Sequence, residues 1–199
     1  MQIVKQKATI LNETPDMLAH LEYCGRTCYK SHERITAGSA ERFCKMILRN
    51  HHESVLEHGC ITVKIITDRA IANELVRHRI ASYSQESTRY CNYNGTDIKF
   101  IEPPFASEEA KAIWENDCKH AEYDYNSLIR NGEKPELARN VLPLSLATEL
   151  VATANIREWR NILKQRTAES AHPQMRELAN LILSEFMATS YSVLFQDIV

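Results

Sequence analysis

Apolar and polar positions change period several times along the chain, and each change predicts an element. Residues 1 to 10 alternate loosely and predict a strand. Thr14-Pro15-Asp16 reads as a helix start, with Thr as cap, Pro at the first helical position and an acid next. Leu18, Ala19 and Leu21 supply its core face, and Gly25 is the expected stop. A second helix is expected from about Ser39, with Phe43, Met46 and Ile47 on one face. From Cys60 to Ile66, Ile61, Val63 and Ile65 alternate with Thr62, Lys64 and Ile66, the period of a strand. Asp68 is placed to cap a helix from Arg69 to about Arg79. Its last turn would carry Arg77, His78 and Arg79, cations that complement the helix dipole. A polar stretch from Ser82 to Asn94 follows.

In the second half, Ser107-Glu108-Glu109 opens a long amphipathic helix through Ile113, Trp114, Ala121 and Leu128, ending near Gly132. A short helix is expected between Pro135 and Pro143. Residues 147 to 154 fit either regular element, with strand favoured. Asn155-x-x-Glu158 resembles a capping box and starts a helix through about Arg166. Pro173 opens the last helix, with Met175, Leu178, Ala179, Ile182 and Phe186 at helical spacing. Strands and helices mix without a βαβ rhythm, which predicts an α+β fold.

The 199 residues, 44% hydrophobic and 25% charged, suit one domain or at most two small ones. No apolar run approaches the ~18 residues needed to span a bilayer, and the first residues, MQIVKQKATI, lack the apolar core of a secretory signal. A soluble cytoplasmic protein without membrane partners is therefore expected. The cysteines at 24, 28, 44, 60, 91 and 118 are scattered, so reduced thiols are expected rather than a disulfide framework. A net charge of −2 weighs against nucleic acid as a partner. Locally, however, Arg77, Arg79 and Arg89 stand against the single acid Glu86 between residues 77 and 90, which points to a small anionic ligand. No GxGxxG or P-loop is present, so side chains would have to hold any phosphate.

The segment Glu74 to Tyr90, ELVRHRIASYSQESTRY, concentrates this chemistry. Guanidinium forks suit phosphate oxygens and carbonyl edges, and the hydroxyls of Ser82, Ser84, Ser87 and Thr88 add donors. Spacing alone leaves open a surface helix with a basic end and a polar loop. His51, His52, His58 and Cys60 match neither zinc-finger nor HExxH spacing, and no metal is expected. Cys24 and Cys28 lie one helical turn apart and read as core, as do Trp114 and Trp159.

The pattern Arg77-His78-Arg79, seven residues, then Ser87 closely resembles the signature of the flavin-dependent thymidylate synthases. Flanking elements extend the likeness: HESVLEHGCITVKI from His52, ARNVLP at 138 to 143, Asn155-Ile156-Arg157 with Asn161 and Arg166, and AHPQMRELA at 171 to 179. The likeness runs roughly from residue 20 to 190 with compatible spacing. It implies a mixed or antiparallel sheet flanked by helices in a single compact domain, residues 1–199. It also implies methylation of dUMP to dTMP, with 5,10-methylenetetrahydrofolate giving the carbon, reduced FAD the hydride and NADPH the electrons that re-reduce the flavin.

Residue roles follow from the same resemblance. Ser54, Arg77, His78, Arg79, Gln85, Asn155, Ile156, Arg157 and Asn161 are expected at FAD. Glu74, Leu75, Val76, Arg77, Gln85, Glu86, Ser87, Thr88, Arg89, Arg139 and Arg166 are expected at dUMP. Glu74 stands where some relatives carry Gln, and Gln85 where others carry Glu. His52 resembles a residue near the flavin and folate side and is given no role. Arg166 is the expected catalytic residue: a fixed cation beside uracil N3 and its carbonyls favours an enolate-like ring with a nucleophilic C5. Ser87 is read as a nucleotide contact, since no general base is fixed beside it. A homotetramer with active sites built from several chains is implied. Two rival classes are a nucleic-acid-binding module and a flavoprotein without synthase activity.

Overall fold

The computed structural model describes residues 1–198. The opening alternation forms two strands rather than one, β1 (Gln2–Val4) and β2 (Lys7–Glu13). The chain breaks between them where Gln6 turns inward and accepts a hydrogen bond from the Thr67 hydroxyl at 2.7 Å. The helix expected from Thr14 starts later, as α1 (Met17–Thr27). Asp16 sits in the left-handed region, φ 49°, and does not cap. The Thr14 hydroxyl is committed elsewhere, accepting from the Cys60 amide at 3.0 Å. Ala19 is exposed, and the buried face is Met17, Leu21, Glu22 and Gly25. Gly25 lies inside this helix instead of ending it. A Cβ there would lie 2.5 Å from Phe43 Cζ on α2 (Ser39–Arg49), so the Phe43 ring fills the space that a side chain would take.

A 3-10 turn over Glu53–His58 leads into β3 (Cys60–Asp68), which alternates as expected but is longer. Asp68 caps α3 (Arg69–Leu75), its carboxylate accepting from the Ile71 amide at 2.7 Å. The helix stops at Leu75, before the basic triplet. Arg77 and Arg79 are exposed and His78 between them is buried. Val76 and Arg77 form the closing turn, and His78 and Arg79 lie outside regular structure. The polar stretch holds a strand absent from the sequence reading, β4 (Ala81–Gln85), in which Ser82 and Ser84 are exposed while Tyr83 and Gln85 are half-buried. β5 (Lys99–Ile101) follows and pairs in parallel with β1, Ile3 opposite Phe100.

α4 (Glu108–Arg130) begins at Ser107, whose hydroxyl accepts from the Ala110 amide at 3.2 Å. It buries Cys118 and Tyr125; Ile113, expected in its core face, is exposed. α5 (Pro135–Ala138) passes into a 3-10 turn over Arg139–Val141. Residues 147 to 155 form β6 (Ala147–Asn155). Asn155 then caps α6 (Ile156–Arg166), its side-chain oxygen accepting from the Glu158 amide at 2.8 Å. Last comes α7 (Pro173–Met187). The strand order of the larger sheet is β2-β3-β6-β4, and the fold is α+β.

Contacts divide the chain into two compact units. The first holds Met1–Lys7, Ile65–Arg77 and Ser84–Leu150. Its core gathers Ile98, Phe100, Cys118, Tyr125, Ala138 and Leu146. Arg69 starts α3 with its amide shared between the Leu144 and Leu146 carbonyls. The second unit holds Ala8–Lys64, His78–Tyr83 and Val151–Val199. Here Trp159 is fully buried, meets Phe186 edge-on and donates its indole N–H to the Ile61 carbonyl at 3.0 Å. Arg160, also buried, pairs with Asp197 through both terminal nitrogens at 2.7 Å.

Candidate functional site

In the second unit the end of α6 meets the middle of the basic triplet. Arg166 Nε donates to His78 Nε2 at 3.0 Å. An arginine Nε–H is always a donor, so His78 Nε2 is the accepting nitrogen and the ring proton of the neutral imidazole sits on Nδ1. Nδ1 faces Glu158 Oε1 at 3.6 Å, beyond ordinary hydrogen-bond length but close for electrostatics. Burial, and then the Arg166 charge, hold His78 below the usual histidine range, which keeps the ring neutral.

Glu158 is buried and is steadied on its other oxygen by Asn161 Nδ2 at 3.2 Å. Asn161 in turn accepts from Gln165 Nε2 at 2.7 Å. Positions 158, 161 and 165 recur at helical spacing, so one face of α6 presents the row. The Tyr83 hydroxyl donates to the His78 carbonyl at 3.1 Å, and its pKa is pushed up to about 12 by burial and then by the Glu158 charge. Neither Glu158 nor Tyr83 is among the residues expected at the site. The Glu158 signal lay in the sequence as the closing residue of the capping box, three after Asn155, but capping accounted for its presence there.

The remaining flavin-side residues of this unit fall around two adjoining depressions. Ser54 and Arg157 line a cavity of about 1170 Å³ that also takes in Arg26, Arg42, Phe43 and His52. Asn155, Arg157 and Asn161 line a smaller one of about 420 Å³ with Ile80 and Lys164. Arg157 borders both and carries two carboxylates, Glu57 at 2.6 Å and Glu53 at 3.4 Å. Ile156 is fully buried and presents no side-chain surface. Arg79 is exposed, with its guanidinium unpaired among the described residues.

The first unit holds most of the dUMP-side residues. Arg77 is exposed and its guanidinium is likewise unpaired among the described residues. Glu74 and Val76 are half-buried on either side of the buried Leu75. Gln85 Nε2 donates to the Thr148 hydroxyl at 3.2 Å. Glu86 is tied down on several sides: its carboxylate accepts from the Tyr93 hydroxyl at 2.5 Å, and its carbonyl accepts from Arg69 at 2.9 Å. Ser87 shapes the following turn, its hydroxyl accepting from the Arg89 amide at 3.3 Å and its carbonyl from the Cys91 amide at 2.9 Å. Arg139 donates to the buried Thr88 hydroxyl at 3.3 Å, and Arg89 pairs with Glu136 at 3.0 Å. The segment 84–89 and Arg139 are thus brought together, 51 residues separating Thr88 from Arg139 in sequence. No cluster able to hold a metal ion forms among the described residues.

The family described as thymidylate synthase complementing protein matches residues 9–190. The flavin-dependent thymidylate synthase of Geobacter sulfurreducens is 35% identical over 182 residues, covering 87% of this chain and 78% of that protein. The protein of the same name from Pyrococcus horikoshii is 33% identical over 190 residues, covering 90% of this chain and 78% of its own length. Among solved structures, thymidylate synthase X from Helicobacter pylori with FAD and dUMP is similar in fold. Its TM-score is 0.82 at 24% identity, with 97% of this chain and 98% of that one covered.

Proposed function

Since the chain belongs to the flavin-dependent thymidylate synthase family, we propose that it methylates dUMP to dTMP, using 5,10-methylenetetrahydrofolate, FAD and NADPH. The observation that carries the reading is the Arg166–His78 contact, which fixes a permanent cation on the residue at the centre of the basic triplet. Arg166 acts by field rather than by proton transfer, because its guanidinium stays protonated. Held beside the uracil carbonyls, it favours the electron-rich form of the ring whose C5 attacks carbon. Neutral His78 orients that cation without adding a second charge.

The residues fit an anionic dinucleotide. Arg77 and Arg79 offer exposed guanidinium groups with no protein acceptor among the described residues, as a pyrophosphate requires. Ser54, Asn155, Arg157 and Asn161 supply polar groups around the two depressions. Bound there, FAD supplies the hydride that completes the methyl group. Ile156 contributes by seating α6, since its amide donates to the Gly59 carbonyl at 2.8 Å. On the dUMP side, Glu74 through Arg77, Gln85 through Arg89, Arg139 and Arg166 are the assigned contacts. Arg89 and Arg139 are the exposed cations suited to its phosphate. Residues 1–199 act as one functional domain on this reading, because β3, β4 and β6 each supply residues to both compact units. A cytoplasmic homotetramer completes the proposal.

The test is reconstitution. The purified chain should be yellow with FAD, and should release tritium from C5-labelled dUMP while forming dTMP, dependent on methylenetetrahydrofolate and NADPH. A protein that takes up no FAD, or takes it up and makes no dTMP, would sink the reading.

A further inference from the structure

Arg166 gains its orientation from a ring that has two tautomers, and only one of them accepts its proton. Free imidazole side chains carry the proton on either nitrogen, and the hydrogen bond made by one nitrogen decides the state of the other. In this chain the Nε2 side is claimed by Arg166 at 3.0 Å, and the Nδ1 side looks onto Glu158 Oε1 at 3.6 Å. Glu158 is buried, so its charge acts on the ring with little screening. It is also held in place, by Asn161 on one oxygen and by the capped start of α6 at its own amide.

We infer that Glu158 is a positioning residue for Arg166, holding His78 as the Nδ1–H tautomer so that Nε2 stays free to accept from the guanidinium. The charged and titratable groups facing His78 are Arg166 and Glu158 from α6 and the Tyr83 hydroxyl from β4, which binds the His78 carbonyl rather than the ring. With Nε2 protonated, two donors would confront each other across the contact and Arg166 would lose its seat. The inference rests on the catalytic role proposed for Arg166 in dUMP activation.

The experiment reads the ring directly. In the FAD-loaded full chain with ¹⁵N-labelled histidine, His78→Gln identifies the His78 signals by their disappearance. The expected pattern at neutral pH is a protonated Nδ1 and a bare Nε2. In Arg166→Ala the Nδ1–H pattern should persist, because Glu158 still faces that nitrogen; a shift to Nε2–H there would assign the tautomer to Arg166 and overturn the inference. Glu158→Gln should keep FAD, lose at least tenfold in dTMP turnover, and move the acid limb of the pH profile to lower pH. The direction follows because removing a carboxylate makes the ring harder to protonate. Glu158→Asp, which keeps the charge, should stay near the wild-type limb. A wild-type His78 found as Nε2–H or as imidazolium at neutral pH would overturn the inference. So would a Glu158→Gln enzyme with wild-type turnover and an unmoved limb. The tautomer is read without turnover. A chain with the expected ring state that forms no dTMP would therefore refute the proposed function and leave the tautomer assignment standing.

Discussion

Arg166 and His78, 88 residues apart in sequence, meet through a single hydrogen bond from Nε to Nε2 at 3.0 Å. The contact uses the guanidinium nitrogen nearest the chain, and the planar two-pronged fork extends beyond it. Lysine has neither the Nε–H at that point nor the fork. Arg166→Lys is therefore expected to lose about 2 to 4 kcal/mol of transition-state stabilisation, the scale for deleting an electrostatic stabiliser. FAD content and its reduction by NADPH should survive. Near-normal dTMP formation would remove Arg166 from the catalytic role.

A cysteine route to dTMP predicts a different sensitivity. There, a thiolate adds to C6 of dUMP, and the thiolate needs an accessible, electropositive setting. Cys91 is the cysteine next to the Arg89-Tyr90 pair, half-buried, with its amide tied to the Ser87 carbonyl. Cys44 and Cys118 are buried, and burial pushes both thiols up, Cys44 to about 12. The flavin route needs no such bond. Cys91→Ser should therefore keep activity within tenfold, or ~1.4 kcal/mol of barrier. A folded, flavin-loaded Cys91→Ser enzyme making no dTMP would overturn the mechanism.

Shared sites can be detected by mixing. Arg77→Ala and Arg166→Ala should each be inactive alone. If those residues serve one site from different chains, co-assembled variants should recover part of the wild-type rate. Absence of recovery in demonstrated mixed oligomers would assign both residues to the same chain's site.

Gly25 sets two effects against each other. Alanine in a helix interior is favoured over glycine by ~1 kcal/mol. Against that, its Cβ would meet Phe43 Cζ at 2.5 Å and Val55 Cγ1 at 3.2 Å. The Phe43 ring also lies under the Arg26 guanidinium, 5.1 Å from its centroid, so moving the ring disturbs a second contact. Overpacking of this kind costs about 1 to 3 kcal/mol. Gly25→Ala should thus lower the urea midpoint despite its better propensity. A raised midpoint would show that Phe43 yields freely.

The legible parts of the fold are those where one local rule decides. Asn155 and Ser107 cap helices as their positions imply, and β3 alternates as its residues do. The misread parts are decided by distant partners. Gly25 reads as a stop until Phe43 is placed against it. The triplet at 77–79 reads as a helix end until His78 is drawn inward to Arg166. β4 hides because its outward positions are serines and its inward ones Tyr83 and Gln85, so hydropathy does not alternate. Motif spacing pointed to Arg166 and His78 separately; their hydrogen bond, and Glu158 behind it, needed coordinates.

The two tryptophans give the molecule a built-in pair of optical probes, one in each compact unit. Trp114 is half-buried, with its indole N–H on the Ser145 hydroxyl at 3.0 Å. Trp159 is sealed from water against Phe186. Trp159 should emit to the blue of Trp114 in the native state, and both should shift red as water reaches them. Single-tryptophan variants, Trp114→Phe and Trp159→Phe, would then let denaturation be followed separately in the two units. Coincident transitions would mean that they unfold as one cooperative body, and separated transitions would give each its own stability.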